Sequence, residues 1–338
     1  MSRCVLVTGV SGFLGGHLAL QLLNKGYRVR GSVRRLARGA AVRQAMQEAG
    51  ADTARLEFVE LDLLEDQGWL RAADGCAALV HVASPFVLDM PGDRNELIRP
   101  AVDGTRRALD AALAAGVRRI VLTSSMAAID HGHRDYTRVF TERDWSDLSG
   151  PQINAYVESK TRAEREAWAI MAADGQRDRL AVINPAALLG PLLDDDPGTS
   201  ASLVVRLLGG GMPAVPRLIL QYVDVRDIAA VHVAAMEAPA AGARLVVSEE
   251  ALSLLQMAKL LREQFPRFAG QLPRREMPDW FVKIYALFDA SLRDNAALIG
   301  KRKRSDASAA VKLLGRSLIP ARQALLATAR SVIDRQLV

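Results

Sequence analysis

Residues 4–15 read CVLVTGVSGFLG, an apolar run followed by a loop with three regularly spaced glycines. Gly9, Gly12 and Gly15 follow a G-x-x-G-x-x-G spacing. Glycines at a strand-to-helix turn let the backbone approach a pyrophosphate at the N-terminus of the helix. Such a loop alone is weak evidence, because many strand-to-helix turns favour glycine and the commonest fingerprint is G-x-G-x-x-G. Its place between a first strand and a first helix predicts a dinucleotide site, to which Phe13 and Leu14 also contribute.

The first half of the chain alternates short apolar runs with amphipathic stretches. Strands this apolar are expected to be buried on both faces, as in a parallel sheet covered by helices. Right-handed crossovers between such strands predict a doubly wound, Rossmann-type α/β fold. The predicted strands are 4–8, 28–33, 56–61, 77–83, 119–124 and 180–184, and the predicted helices are 13–24, 40–49, 66–73, 96–115 and 155–173.

After Pro185 the pattern changes, and from Leu252 onward it is mostly helical with proline and glycine breaks. We expect a smaller, mostly helical substrate domain that is interleaved with the cofactor domain. The predicted elements are strands at 218–223 and 245–248 and a helix at 227–236. The predicted division is 1–184 plus 218–248 for the cofactor domain, and 185–217 plus 249–338 for the substrate domain.

Composition and charge restrict the function classes. The chain has 338 residues, enough for one large or two closely associated domains, and a net charge of +6. This mild excess suits an anionic small molecule and does not by itself indicate a nucleic-acid partner. Cys4 and Cys76 lie in apolar runs without disulfide or zinc spacing, so we expect no metal. We also expect no signal peptide, no membrane span and a cytoplasmic location.

Basic residues surround the end of the second predicted strand, where NAD sites usually place an acidic residue. No Asp or Glu occurs between residues 15 and 48. Arg34 is placed to form a bidentate pair with a 2′-phosphate, and Arg35 or Arg38 could add to it, with a hydroxyl from Ser32. The alternative is a solvated basic loop. The pattern favours NADP(H) over NAD(H).

Tyr156 and Lys160 lie four residues apart in a predicted helix, so both can point into one pocket. A nearby cation lowers the pKa of a phenol from its usual value of about 10. A tyrosine tuned in this way could protonate a carbonyl oxygen or deprotonate an alcohol. Tyr-x-x-x-Lys is short, and a chance surface pair is the alternative.

Several longer motifs accompany this pair. Together they resemble the extended short-chain dehydrogenase/reductase family, and within it the dihydroflavonol reductase, cinnamoyl-CoA reductase and microbial aldehyde reductase group. The resemblance covers essentially the whole chain and implies a nicotinamide-dependent oxidoreductase. The motifs are HVASP (81–85), AVDGT (101–105), TSS (123–125), AYVESKTRAEREAW (155–168), INPAALLGP (183–191) and YVDVRDIAAVHVAAME (222–237).

The resemblance assigns roles by position. It implies that Ser125 binds the substrate oxygen, that Tyr156 is the general acid, and that Lys160 binds the nicotinamide ribose and lowers the tyrosine pKa. Substrate contacts are expected from Asp130 and Phe86. The further implied cofactor residues are Asp62 and Leu63 beside the adenine, Ala83, Ser84 and Ser124 along the cofactor, and Pro185 and Leu188 on the nicotinamide side.

The chain also departs from the family pattern. Many relatives carry an asparagine early in the helix that here reads Ala101, Val102, Asp103, so the proton path behind Lys160 is open. Other polar features are expected to play no part in the chemistry. We expect His131 and His133 to lie in a polar loop around Gly132, residues 301–304 to form a solvated basic loop, and His81 to have a structural role. An aromatic set is expected in the core, with one or two members able to cap a substrate pocket. The set is Trp280, Phe281, Tyr285 and Phe288.

Three functions fit these patterns. The first is an NADPH-dependent reductase of aldehydes or ketones, reversible as an alcohol dehydrogenase, and largely apolar pocket segments favour an apolar or aromatic substrate. The second is a nucleotide-sugar epimerase or dehydratase, although Met126 and Ala127 follow Ser125 where sugar dehydratases typically carry Asp-Glu. The third is a non-catalytic NADP(H) sensor. The resemblance implies a homodimer through helices 96–115 and 155–173, where relatives dimerise, whereas the many charges on these helices argue for a monomer.

Overall fold

Seven parallel strands form the central sheet of the computed structural model, which describes residues 3–85, 92–151, 153–238, 242–285 and 298–338. The strands are β1 (Cys4–Thr8), β2 (Arg28–Val33), β3 (Leu56–Glu60), β4 (Ala78–His81), β5 (Arg119–Thr123), β7 (Leu180–Pro185) and β10 (Ala243–Val247). Their order is β3-β2-β1-β4-β5-β7-β10, and all neighbours pair in parallel. The chain moves outward from β1 in one direction and from β4 in the other. The predicted doubly wound α/β fold is therefore confirmed.

Helices cover both faces of this sheet and bury two hydrophobic cores. One face carries α1 (Phe13–Asn24), α2 (Arg38–Glu48), α7 (Val225–Glu237) and α10 (Ser308–Leu314), and the other carries α3 (Trp69–Ala73), α4 (Asn95–Ala114) and α5 (Ala155–Ala173). Asn154 fixes the start of α5, because its side chain accepts a 2.9 Å hydrogen bond from the Val157 N–H. This cap places Tyr156 in the first turn, at the edge where the strands end.

A third core lies apart from the central sheet. It is built from α6 (Gly198–Leu208), α8 (Leu254–Gln264), α11 (Ala321–Asp334) and a three-stranded sheet of β8 (Ala187–Leu189), β9 (Ile219–Asp224) and β11 (Glu250–Ser253). The sequence pattern assigns β9 to the cofactor domain, but the strand pairs with β8 and β11. The domain limits stay a prediction, and β9 is the element on which the limit at residue 218 depends.

Two peripheral segments complete the described chain. A short pairing joins β6 (Val139–Phe140) to β12 (Arg304–Ser305), and α9 spans Asp279–Tyr285. On α9, the prediction of core aromatics is wrong for Trp280 and Phe281, which are 65% and 42% exposed. Helical spacing shows that apolar residues share a face but not that this face is covered. Phe288 and the side chain of Tyr285 lie outside the described residues. Among described helices, none is long and apolar enough to cross a membrane.

Candidate active site

The glycine loop connects β1 to α1 in a conformation that needs glycine. Gly9 has φ +71°, and a Cβ there would lie 3.1 Å from the Ala83 backbone. A Cβ on Gly15 would collide with the Gly9 carbonyl oxygen. The Gly9 N–H donates to the Ser32 Oγ at 3.1 Å, which ties the loop to the end of β2.

The N-terminus of α1 is suited to bind an anion. Gly12 is the N-cap residue, no side chain caps the helix, and the first turn contains no acidic residue. The partial positive charge of the helix N-terminus is therefore available to a phosphate. Phe13 is half-buried and Leu14 is buried, so these two residues attach the helix to the protein while the glycine side stays open.

Arg34 and Arg35 follow β2 directly, and both are exposed. Neither forms an ion pair with any residue that the structure describes, whereas Arg38 lies 3.4 Å from Asp194. Because the β2 end carries no acid and two guanidinium groups without a described ion-pair partner, these residues fit a dinucleotide with a 2′-phosphate. On the next strand, Asp62 and Leu63 are half-buried after β3.

Ser125 and Tyr156 meet at the carboxyl end of the sheet. Ser125 lies just after β5 and Tyr156 in the first turn of α5, and the tyrosine O–H donates to the Ser125 Oγ at 3.3 Å. The same oxygen accepts the Ala127 N–H at 3.1 Å. With both bonds accepted, the serine keeps its own proton for donation to a substrate oxygen.

The tyrosine pKa differs from the sequence-based prediction. Burial raises the pKa of Tyr156, and the hydrogen-bonding partner Ser125, which can donate to the phenolate, lowers it by a smaller amount. The net shift is upward; the lowering by Lys160, whose Nζ lies 6.0 Å from the centre of the tyrosine ring, stays a prediction. Loss of solvation is the larger effect, and it keeps the phenol protonated at neutral pH.

Lys160 is buried in α5, one turn after Tyr156. Burial lowers the pKa of Lys160 to about 8, and the negative charge of Glu164 opposes this change. Among the described side chains, none accepts a hydrogen bond from its ammonium. The ammonium is therefore available to the hydroxyl groups of a bound ligand.

A small polar cavity behind Lys160 contains groups that sequence reasoning did not assign. Its polar lining includes His81, Thr105 and Glu164. Thr8 accepts the Val82 and Ala83 N–H groups, so its hydroxyl donates to His81 Nδ1. Burial lowers the pKa of His81 to about 3, which keeps the imidazole neutral. His81 thus serves a structural role, as expected.

Two features of the sequence could have predicted the positions of Glu164 and Thr105 in this cavity. Glu164 lies four residues after Lys160, on the same helix face. Thr105 follows the position of the missing asparagine and is buried. Asp103, whose direction the sequence left open, turns to the surface and lies 3.6 Å from Arg99.

The remaining predicted cofactor residues lie along the same edge. Ala83 and Ser84 follow β4 and are half-buried, Pro185 ends β7, and Leu188 is half-buried in β8. Ser124 is buried, and its hydroxyl donates to Glu164 at 2.5 Å, so its side chain is already engaged.

The predicted substrate residues are placed differently from one another. Phe86 lies outside the described residues. Asp130 is buried and lies 2.9 Å from Lys303 and 2.7 Å from His131. Lys303 holds the pKa of Asp130 at about 2, although burial opposes this. A substrate role for Asp130 stays a prediction, now for a carboxylate that already has two partners.

The basic run at 301–304 was expected to be a solvated loop, and this prediction is wrong for Lys303. Its side chain is only 10% exposed, whereas Lys301, Arg302 and Arg304 are exposed. His131 hydrogen-bonds Asp130, and no metal-binding group of His, Cys, Asp and Glu occurs among the described residues.

Comparison with models of known protein families shows to which family the chain belongs. The family model described as the NAD dependent epimerase/dehydratase family matches residues 5–247. The chain belongs to this family. The match includes the glycine loop, Ser125, Tyr156 and Lys160, and the resemblance to extended short-chain dehydrogenases/reductases is confirmed.

Individual relatives are reductases by name. The chain is 34% identical over 269 residues to cinnamoyl-CoA reductase 2 of Arabidopsis thaliana, covering 79% of each chain. It is 30% identical to the putative NADPH-dependent methylglyoxal reductase GRP2 of Candida albicans, covering 81% of this chain and 86% of that one. Among solved structures, the yeast methylglyoxal/isovaleraldehyde reductase Gre2 complexed with NADPH aligns with a TM-score of 0.83 and 26% identity, covering 99% of both chains.

Proposed function

We propose that this protein is an NADPH-dependent reductase of aldehydes or ketones that acts on the CH–OH/C=O couple and runs in reverse as an alcohol dehydrogenase. The observation that carries the proposal is the 3.3 Å hydrogen bond between Tyr156 and Ser125, with the Lys160 ammonium one helical turn away. Two hydroxyls this close together can both donate to one substrate oxygen that becomes negative during the reaction.

In the reductive direction, Ser125 and Tyr156 hold the carbonyl oxygen of the substrate between their hydroxyl groups. NADPH, when bound, supplies the hydride that adds to the carbonyl carbon. Tyr156 transfers its proton to the oxygen and becomes a phenolate, which Lys160 stabilises by its charge. Solvent then returns a proton to Tyr156. The raised pKa of Tyr156 favours this direction, because the phenol begins the reaction protonated.

The proposed cofactor rests on the loop after β2. Arg34 and Arg35 would hold the 2′-phosphate, and the open N-terminus of α1 would face the pyrophosphate. The relatives named for NADPH support this choice. We expect NADPH to exceed NADH by at least about tenfold in kcat/KM, since a bidentate guanidinium–phosphate pair contributes more than one kcal/mol.

A matched set of arginine variants tests the cofactor proposal. Arg34→Ala and Arg35→Ala should lower kcat/KM with NADPH and leave NADH use unchanged. Arg38→Ala is the control, because that guanidinium pairs with Asp194. Equal use of the two cofactors by the wild-type protein would reject the NADP assignment.

For the substrate we propose an apolar or aromatic carbonyl compound. The two reductase names describe carbonyl compounds of different size, cinnamoyl-CoA and methylglyoxal. They therefore support carbonyl compounds as the substrate class but no single compound. The segments that the sequence predicts to line the pocket are largely apolar, and they are residues 86–90, 130–136, 192–220 and 278–292. A carbonyl pocket with few polar groups selects by shape and apolar contact.

A panel assay tests the proposed function. Aldehydes, β-ketoesters, diketones, dihydroflavonols and steroids are each incubated with the protein and NADPH, and loss of NADPH absorbance is followed. Turnover of at least one class is expected. A nucleotide sugar belongs in the panel, because the family description includes epimerases and dehydratases. Its conversion is followed by chromatography of the product, because epimerisation and dehydration consume no NADPH overall. Turnover of that compound alone would replace the proposal with this alternative, and NADPH binding without any turnover would favour a sensor.

A further inference from the structure

Glu164 is a buried carboxylate that the mechanism above does not use. It is fully buried in α5 and lies two turns after Tyr156 and one turn after Lys160, so the three side chains share one helix face. It lines the polar cavity together with Lys160 and Thr105.

Groups from four parts of the fold hold this carboxylate. Ser124, after β5, donates its hydroxyl to Oε2 at 2.5 Å, and Asn184 of β7 donates its amide to the same oxygen at 2.8 Å. Trp168 donates its indole N–H to Oε1 at 3.4 Å. Arg244 of β10 donates a guanidinium N–H to the same oxygen and forms an ion pair with the carboxylate. The carboxylate therefore joins α5 to three neighbouring strands of the sheet.

The ion pair is itself buried and fully hydrogen-bonded. The Arg244 side chain is 8% exposed, donates to the Ala128 and Glu142 carbonyls at 3.2 and 3.0 Å, and lies over the Trp145 ring at 3.8 Å. Burying two charges has a desolvation cost that their attraction often fails to exceed. Replacing a buried ion pair by apolar residues of similar size is often neutral or stabilising, so the presence of this pair is weak evidence for a purely stabilising role.

The charge of Glu164 acts on Lys160. Burial favours loss of the lysine proton, and the carboxylate one turn away favours its retention. The other titratable groups around the cavity do not supply a negative charge: burial keeps His81 neutral, Tyr156 is a protonated phenol, and His232, which hydrogen-bonds Thr123, has a pKa of about 4. Arg244 contacts the carboxylate but is not part of the cavity lining.

We propose that Glu164 is a positioning residue for the reductase proposed above: its carboxylate orients Ser124 beside the reacting edge and keeps Lys160 in its ammonium form. Glu164 thus places a buried charge behind Lys160. On α4, Ala101 and Val102 carry no polar group, Asp103 turns to the surface, and Thr105 lines the cavity with an uncharged hydroxyl. The Lys160 ammonium is the group that binds a ribose hydroxyl and stabilises the phenolate, so its charge state sets the upper pH limit of reduction.

The test is Glu164→Gln, which keeps the shape and a hydrogen-bonding carbonyl but removes the charge. The expected result is a shift of the alkaline limb of kcat/KM toward lower pH by roughly one unit, as expected when a nearby opposite charge is lost. Glu164→Asp should return the limb toward its wild-type position. Glu166→Gln is the matched control, because Glu166 lies on the same helix and pairs with Arg106 at 2.7 Å. The control should leave the limb in place.

A second readout does not need turnover. Acetylation of Lys160 by acetic anhydride, followed by mass spectrometry across a pH series, measures how the lysine loses its proton in the folded protein without cofactor. The midpoint of this series is the pH at which half of Lys160 is deprotonated. The midpoint should fall in Glu164→Gln. If Glu164→Gln does not fold because Arg244 is left unpaired, Glu164→Gln combined with Arg244→Gln removes both charges. The same downward shift is expected, because Glu164 lines the cavity beside Lys160 and Arg244 does not.

A folded Glu164→Gln or double variant with an unchanged acetylation midpoint would overturn this inference. A loss of kcat without movement of either midpoint would mean that Glu164 only supports the fold. The proposed function fails separately, if wild-type protein reduces no carbonyl in the panel, because the acetylation midpoint can still be measured.

Discussion

Two lysine side chains in the described part of the chain are largely buried, and their surroundings differ. Lys160, on α5, has no hydrogen-bond acceptor among the described side chains. Lys303, next to β12, lies 2.9 Å from the buried carboxylate of Asp130. Burial lowers the pKa of both lysines, but only Lys303 has a carboxylate in direct contact.

The difference indicates two uses of the same side chain. A buried ammonium without a direct partner is costly, and it persists where a ligand completes its contacts. A buried ammonium with a carboxylate partner instead joins two segments of the chain, here the loop after β5 and the segment before β12. We therefore expect Lys160 variants to lose function and Lys303 variants to lose stability.

The largest expected effect is on catalysis in Lys160→Met. Losing the charge that stabilises the developing phenolate should lower kcat/KM by about 10³-fold. Thermal stability should not fall, because removing an unpaired buried cation removes a desolvation cost. Steady-state kinetics and calorimetry on the same sample check this result, with the exposed Lys259→Met as control. A destabilised Lys160→Met with normal kcat/KM would reverse the comparison.

The next effect is on stability in Lys303→Met. This change leaves the Asp130 carboxylate buried without its cation, which should lower the free energy of unfolding by about 3 kcal/mol. Urea unfolding measures the loss. Combining Lys303→Met with Asp130→Leu removes both charges and should recover most of it. If the single variant were as stable as wild type, the ion pair would not join these segments.

The smallest effect concerns acid stability. The pKa of Asp130 is about 2 in the folded protein, below the ordinary aspartate value of 3.8, so the folded state favours the carboxylate. This contribution is present above about pH 4 and is lost as the pH falls toward 2, amounting to about 2 kcal/mol. Asp130→Asn should remove this part of the slope of stability against pH. An unchanged slope would show that the ionisation of Asp130 does not contribute to the stability of the folded protein.

Much of the Lys160 region was predictable because its signals are local. The bounds of α5 and of β1 agree with the prediction, since helical spacing and an apolar run are recognised within a few neighbouring residues. The same is true of the glycine loop. The resemblance to the family implied that Ser125 and Tyr156 act on one substrate oxygen, and the two side chains lie 3.3 Å apart.

The Lys303 region was not predictable in the same way. Asp130 and Lys303 are 173 residues apart, and no local pattern links them. The basic run looked like a solvated loop because three of its four residues are exposed. The error at Trp280 has the same origin, since helical spacing does not say what packs against a helix. The four-residue spacing from Lys160 could have predicted that Glu164 shares its helix face. Its partner Arg244 could not be predicted in this way, because it is 80 residues away in the sequence.

The most direct test of the central claim is turnover by Tyr156→Phe alongside NADPH binding. The account predicts that wild-type protein consumes NADPH with at least one carbonyl compound. It predicts that the variant loses about 10³-fold or more in kcat, because the proton donor is gone, while its NADPH dissociation constant stays largely unchanged. Turnover by Tyr156→Phe close to the wild-type rate would contradict the assignment of Tyr156 as the acid.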